Sequence, residues 1–123
     1  MPNNFEFNNI RPNLLVNDIH KSLSFYRDML QMDEIVVEGN PPYLAILANG
    51  KAEIALVKSA TPIVANVDSA SCYINVKNVR ALYEHCQAQK IEIPYPLTQH
   101  PWGMLDFVAQ DPDGYLIAFG ENI

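Results

Sequence analysis

Apolar residues recur along the first half of the chain in a pattern that predicts four short strands and one amphipathic helix. The first strand ends at Leu14–Val16, and Asn17 or Asp18 can then cap a helix over 18–30. The apolar positions of this helix follow spacings of three and four: Ile19, Leu23, Tyr26, Met29 and Leu30. Strands over 34–37, 43–47 and 52–57 follow, and Asn49-Gly50 is a strong hairpin signal between the last two.

The second half repeats this order of elements. A strand over 71–76 precedes a helix that Asn78 caps and whose apolar stripe is Val79, Leu82, Tyr83 and Cys86. A short strand over 91–93 and two longer ones over 104–110 and 115–120 follow. The last two are joined by Asp111-Pro112-Asp113-Gly114, whose residue types explain a turn and need no further role.

The repeat predicts the fold class and the domain organisation. Val16 and Val76 lie 60 positions apart, and Asn49 and Asp113 lie 64 apart. We therefore predict one α+β domain over 1–123, with a βαβββ module at about 8–58 and a second at about 69–121. The paired modules should form a curved mixed sheet, with the helices on the convex face and a concave cup that could take a ligand.

Composition and charge exclude several classes of function. The 123 residues include 8 basic and 14 acidic side chains, a net charge of −6, which opposes nucleic-acid binding. No apolar run approaches the roughly 20 residues that span a membrane, and the first ten residues do not resemble a signal peptide. We expect a cytoplasmic protein in which Cys72 and Cys86 are reduced and apolar in character.

Aromatic and acidic residues are the candidates for ligand binding. Trp102 is the only tryptophan, and it either packs against the sheet or offers a flat surface to a planar ligand. The other aromatic candidates for the cup are Tyr43, Tyr73 and Phe107, although each of them could equally pack the sheet. Glu53 and Asp106 could add complementary charge or serve as a single acid or base.

The segments VNDIHKSLSFYRDMLQM and WGMLDFVAQDPDGYLIAFGE, together with the doubled module, resemble the vicinal oxygen chelate superfamily. That superfamily includes glyoxalase I, extradiol dioxygenases and the bleomycin-resistance proteins, and the closing hairpin is most similar to the bleomycin-resistance branch. The resemblance covers nearly the whole chain. It implies βαβββ modules and a homodimer with two ligand cups.

The resemblance also implies four positions at which the enzymes of the superfamily hold a divalent metal with His, Gln or Glu. Here those positions carry Arg11, Ala55, Ser71 and Ala118. A guanidinium, two methyl groups and a hydroxyl do not provide a divalent metal site. His20, His85 and His100 lie in helices or in a loop, so we expect no metal and no cofactor.

We therefore expect a metal-independent binding protein of the antibiotic-resistance type, which sequesters a planar or cationic organic ligand in the cups of a homodimer. The expected ligand-binding residues are Trp102, Tyr43, Glu53, Tyr73, Asp106, Phe107 and Arg11, and no residue is assigned a catalytic role. Two alternatives remain open: a glyoxalase- or lyase-type enzyme acting on a small oxygenated substrate, and a dimeric scaffold domain.

Overall fold

The computed structural model describes residues 4–65 and 68–123, so the predicted connection over 58–68 is described except for 66 and 67. Within these ranges the first module contains β1 (Asn13–Val16), α1 (Ile19–Leu23), β2 (Asp33–Gly39), β3 (Pro42–Asn49) and β4 (Ala52–Lys58). The second contains β5 (Ala70–Asn75), α2 (Val79–Ala88), β6 (Glu92–Gln99), β7 (Met104–Gln110) and β8 (Leu116–Asn122). α1 continues as a wider π-helical segment over Ser24–Met29. None of the described helices is both long and apolar enough to cross a membrane.

Each module builds its own four-stranded mixed sheet in the described part of the chain. Sheet A has the order β1-β4-β3-β2 and sheet B the order β5-β8-β7-β6. In each sheet the first strand of the module pairs in parallel with the last, and the other neighbours are antiparallel. The predicted α+β class and the two βαβββ modules are thus confirmed, and the described strands form two separate sheets.

One face of each sheet belongs to a common hydrophobic core. We call this the inner face; α1 packs on it against β3 and β4, and α2 packs on it against β7 and β8. Its buried residues in the two sheets are Leu14, Val16, Ala45, Leu47, Ile54, Leu56, Leu105, Phe107, Ala109, Ile117 and Phe119. Side chains alternate along a strand, so the residues between these belong to the opposite, outer face. Because both inner faces belong to one core, the two outer faces point away from it.

The strand predicted at 91–93 is too short, because β6 continues to Gln99. Pro94 and Pro96 argue against a central strand, since proline cannot donate a ladder hydrogen bond. β6 lies at the edge of sheet B, where this loss is tolerated, and its pairing with β7 shifts register twice. The longer strand brings the chain to the turn that carries Trp102.

A buried hydrogen bond joins the two modules. The Tyr26 hydroxyl in the π-helical segment donates to Asp111 Oδ2 at 2.6 Å, and both residues are buried. Asp111 Oδ1 also accepts from the backbone N–H groups of Asp113 and Tyr115. Burial raises the pKa of both Tyr26 and Asp111, and the carboxylate beside the phenol raises the pKa of Tyr26 further. The Asp-Pro-Asp-Gly turn therefore connects the modules as well as reversing the chain.

A second set of contacts supports this junction. Asp113 Oδ1 accepts from the backbone N–H of Asn17 at 3.2 Å and from its side-chain amide at 2.9 Å. The Tyr115 hydroxyl donates to the Leu15 carbonyl at 2.8 Å. The closing hairpin of the second module thus holds the strand-to-helix turn of the first.

Glu121, next to the end of β8, caps α2. Its carboxylate accepts from the backbone N–H groups of Asn78 at 3.0 Å and Val79 at 2.9 Å. These donors are otherwise unpaired at a helix start. Hydrogen bonds to the ionised carboxylate lower the pKa of Glu121 below its ordinary value of 4.5.

We expect Tyr26→Phe to lower the free energy of unfolding by about 2 kcal/mol, because it removes a donor from a buried carboxylate. Urea denaturation at neutral pH measures this loss. Tyr83→Phe is the matched control, since the Tyr83 hydroxyl donates no hydrogen bond to any described residue, and it should change stability by less than about 0.5 kcal/mol. Equal losses in the two variants would contradict the assigned role of the Tyr26–Asp111 bond.

The lowered pKa of Glu121 predicts a pH dependence of stability. Its contribution is fully present above the ordinary carboxylate value of 4.5 and is lost as pH falls through the lower folded-state value. Glu121→Gln should therefore destabilise the chain at pH 7 and lose less stability than the unaltered chain on acidification to about pH 3. Melting temperatures at the two pH values measure this, with the exposed Glu84→Gln as the control. If the melting temperature changes equally with pH in the unaltered chain and in Glu121→Gln, Glu121 does not cap α2 as assigned.

Candidate ligand-binding site

The outer face of sheet B carries a network of polar and aromatic side chains. Tyr73 lies on β5 and Asp106 on β7, and β8 runs between them. Two strand spacings are about 9.6 Å, so the tyrosine must reach across β8. Gly120, paired with Asp106, makes this reach possible, because a Cβ atom there would overlap the Tyr73 hydroxyl. The Tyr73 hydroxyl donates to Asp106 Oδ2 at 2.9 Å.

The other oxygen of Asp106 contacts His100. Oδ1 lies 2.6 Å from His100 Nε2, and because an ionised carboxylate only accepts hydrogen bonds, Nε2 is the donor to it. The His100 ring in turn stacks on Trp102, with ring centres 4.4 Å apart and planes 5° apart. Tyr73, Asp106, His100 and Trp102 thus form one continuous network, which we call the Tyr73–Trp102 network.

The tight turn between β6 and β7 places Trp102. The Gly103 N–H donates to the His100 carbonyl at 3.1 Å, and the His100 N–H donates to the Met104 carbonyl at 2.8 Å. Gly103 adopts φ +89°, a conformation that a residue with a side chain rarely adopts. The turn leaves Trp102 71% exposed, with His100 against its ring. Trp102 therefore lies outside the core and offers most of its surface to solvent.

Burial and the Asp106 carboxylate raise the pKa of Tyr73 to about 12. Burial is the larger cause, and the hydrogen bond to Asp106 and the charge of that carboxylate add to it. Tyr73 is consequently a protonated donor at neutral pH. Both Asp106 oxygens have a donor, so this carboxylate can face a ligand without being left unpaired when water is excluded.

Arg11 and Glu53 form a second group on the outer face of sheet A. Arg11 Nη1 lies 3.7 Å from Glu53 Oε1, and the Asn9 side-chain amide donates to Glu53 Oε2 at 3.0 Å. Both charged side chains are partly exposed, so their pairing contributes little to stability. Within one chain this group and the Tyr73–Trp102 network lie on different sheets, on faces that point away from the shared core.

The two remaining predicted site residues lie elsewhere. Phe107 is in the core, 1% exposed, with its ring 5.1 Å from that of Tyr83 and 5.3 Å from that of Phe119. Tyr43 is exposed, but it shares its side of β3 with the buried Ala45 and Leu47. Strand alternation therefore separates both residues from the outer faces on which Asp106 and Glu53 lie.

The residues at the four metal positions of the resembling enzymes do not fit a divalent metal. Arg11 contacts Glu53, Ala55 pairs with Asn13 and Ile46, and Ala118 pairs with Tyr73 and Val108. With Ser71, these side chains include neither an imidazole nor a carboxylate. Over the described ranges, no group of three or more His, Cys, Asp and Glu side chains is placed to hold a metal ion.

His100 is the site residue that the sequence did not indicate. Its position in an apparent loop, between two segments of uncertain length, gave no sign that it faces Asp106. The signal is the register of the β6–β7 hairpin, in which Thr98 pairs with Asp106 and Gln99 with Leu105. Proline residues in β6 hide this register from pattern analysis.

Comparison with known proteins identifies the family of this chain. Residues 8–119 match the model of the Glyoxalase/Bleomycin resistance protein/Dioxygenase superfamily, and the chain belongs to this family. The bleomycin resistance protein of Geobacillus stearothermophilus is 30% identical over 128 residues, which cover 91% of this chain and 95% of that relative.

Solved structures share the fold at lower identity. TioX from Micromonospora sp. ML1 superposes with a TM-score of 0.80 at 15% identity, covering 95% of this chain and 100% of TioX. A lactoylglutathione lyase from Agrobacterium tumefaciens gives a TM-score of 0.72 at 20% identity, covering 98% of this chain and 96% of the lyase. These similarities describe the fold and leave the function to the chemistry of the site.

We expect Asp106→Asn to move the pKa of Tyr73 from about 12 toward its ordinary value of 10.0, because the variant removes the negative charge beside the phenol. Burial should keep the value above 10.0. NMR titration of ring-labelled tyrosine measures the change, and Glu53→Gln on sheet A is the control that should leave Tyr73 unaltered. An ordinary Tyr73 titration in the unaltered chain would contradict the network.

Proposed function

We propose that the protein is a metal-independent binder of the bleomycin-resistance type, which sequesters an organic ligand with a planar or cationic part. The proposal depends on one observation: the exposed Trp102 ring belongs to the same network as the Asp106 carboxylate, whose oxygens accept hydrogen bonds from Tyr73 and His100. An aromatic face stacks planar groups and attracts cations, each by about 0.5 to 2 kcal/mol. The similarity to bleomycin resistance proteins over 91% of the chain supports the same class of ligand.

Charge complementarity supports a cationic part in the ligand. The chain has a net charge of −6, and Asp106 contacts the His100 ring that stacks on Trp102. The donor bonds from Tyr73 and His100 hold the carboxylate in place, so a bound ligand does not have to order it. The residues at the family's metal positions hold no divalent ion in this proposal, so recognition comes from stacking, hydrogen bonds and charge.

We also propose that two chains form the binding cups. Within one chain the outer faces of sheets A and B point away from the shared core, so neither face is enclosed by the other. Exposed apolar residues on these faces include Leu15 at 47% and Tyr95 at 58%. These residues would be buried if the outer face of sheet A packed against the outer face of sheet B of a second copy. It would also bring Arg11 and Glu53 opposite the Tyr73–Trp102 network.

A second candidate function is a glyoxalase- or lyase-type reaction. The His100–Asp106 pair favours it, because a histidine oriented by a carboxylate can take a proton from a substrate. Elemental analysis of protein purified without chelators separates the two candidates. A stoichiometric divalent ion whose removal by EDTA abolishes turnover would establish the enzyme and overturn the metal-independent binder.

We expect the chain to bind bleomycin in the presence of EDTA, with quenching of Trp102 fluorescence. Trp102→Phe should retain part of the affinity, whereas Trp102→Leu, which keeps apolar volume without a ring, should weaken binding at least about tenfold. Because Trp102 is 71% exposed, both variants should melt within a few degrees of the unaltered chain. Calorimetry and thermal unfolding make these measurements. Equal affinities for Trp102→Leu and the unaltered chain would rule out the stacking surface.

The cup model predicts a dimer in solution. Sedimentation equilibrium at micromolar concentration should give twice the mass of 13.9 kDa, because the apolar outer faces need a partner. Leu15→Glu, on the outer edge of sheet A, should shift the equilibrium toward the monomer. Leu15 is 47% exposed in the single chain, so the charge has water around it in the monomer. If the unaltered chain is a monomer in solution and still binds bleomycin, the two-chain cup is contradicted.

A further inference from the structure

A cavity of about 670 Å³ lies between the two modules, on the inner side of the sheets and away from the Tyr73–Trp102 network. Its volume is within the range of pockets that hold small organic molecules. Both modules contribute to its apolar lining, whose larger residues include Leu30, Met32, Ile54, Ile74, Leu82 and Phe119. Leu30, Met32, Ile54 and Phe119 are buried, so the cavity reaches into the core.

The cavity is distinct from the proposed bleomycin site because sheet B separates them. On β5, Ile74 lines the cavity while the adjacent Tyr73 points to the outer face. On β8, Phe119 lines it while the adjacent Gly120 lies under the Tyr73 hydroxyl. Alternation along these two strands therefore gives each site its own residues.

The exposed rim of the cavity is positively charged. Lys51, in the β3–β4 turn, and Lys77, after β5, both line it, and the lining includes no aspartate or glutamate. Among the described residues neither lysine forms an ion pair. The chain as a whole carries −6, so two ammonium groups without an ion pair at the rim of an apolar cavity are opposite in sign to the net charge.

We propose that this cavity is a second binding site, for an amphipathic monocarboxylate. Its apolar body lies against Ile74, Leu82 and Phe119, and its carboxylate lies between Lys51 and Lys77. A neutral apolar molecule would leave the two charges unused, and a cation would be repelled by them. The site differs in place and in sign of charge from the one that takes the planar or cationic ligand.

Calorimetry and backbone NMR with octanoate test the proposal on the full chain. We expect one octanoate per chain, with chemical-shift changes at Ile74, Leu82 and Phe119. The double variant Lys51→Gln with Lys77→Gln should bind octanoate about tenfold more weakly. Lys21→Gln with Arg80→Gln removes the same charge from exposed positions outside the cavity and should change the affinity less than about twofold.

Three further ligands and two single variants sharpen the test. Acetate lacks the apolar body, octanol lacks the charge, and octylammonium carries the opposite charge. Each should bind at least about tenfold more weakly than octanoate. Leu82→Trp, which fills the cavity, should abolish octanoate binding while circular dichroism confirms that the chain is folded. Trp102→Leu should bind octanoate unchanged, so a failure of the bleomycin proposal does not affect this one.

The proposal is overturned if octanol or octylammonium binds as tightly as octanoate, since the charge argument then fails. It is also overturned if the lysine double variant keeps full affinity, if the shift changes centre on Trp102, or if octanoate does not bind. A second copy of this chain seated in the cavity would appear, without ligand, as concentration-dependent shifts at Ile74, Leu82 and Phe119, and that result would contradict the proposal as well.

Discussion

The structure depends on the hydrogen bond between the Tyr26 hydroxyl and the buried Asp111 carboxylate. A buried carboxylate is costly unless donors surround it, and here the phenol and two backbone N–H groups do so. The donors come from both modules, so the bond can form only when the π-helical segment lies against the closing hairpin. This requirement fixes the modules with their inner faces in one core and their outer faces directed away from it.

The proposed site for the planar or cationic ligand lies on the outer faces, because the inner faces form the shared core and, between the modules, the apolar cavity. Along β7, Phe107 stabilises the core while Asp106 organises the Tyr73–Trp102 network, and the two roles alternate residue by residue. Gly120 shows how closely the fold and the site are connected, since its missing side chain lets Tyr73 cross β8. The hydrogen bonds from Tyr73 and His100 position the Asp106 carboxylate before a ligand arrives, which would favour binding in the proposed function.

The sequence predicted the elements well because their signals are local. Helix spacing, the Asn49-Gly50 turn and the Asp-Pro-Asp-Gly turn each depend on neighbouring residues, and the repeat supplied the two-module architecture. The site was harder, because the facing of a strand residue depends on register. Phe107 and Asp106 are adjacent in sequence, yet only one lies on the outer face; His100 was missed because β6 continues through two prolines. The partner of Asp111 lies 85 positions away, a distance over which composition and periodicity carry no information.

The central claim is that each cup combines sheet A of one chain with sheet B of the other. Mixed dimers test it most directly: one chain carries Trp102→Leu, and the other carries Ala48→Trp, which fills the outer face of sheet A beside Glu53. Both homodimers should bind bleomycin at least about tenfold more weakly than the unaltered chain. If each cup is shared between chains, both substitutions lie in one cup of the mixed dimer, and its other cup is unaltered. The mixed dimer should then bind one bleomycin. A mixed dimer that binds none would contradict the account, because each cup would then lie within a single chain.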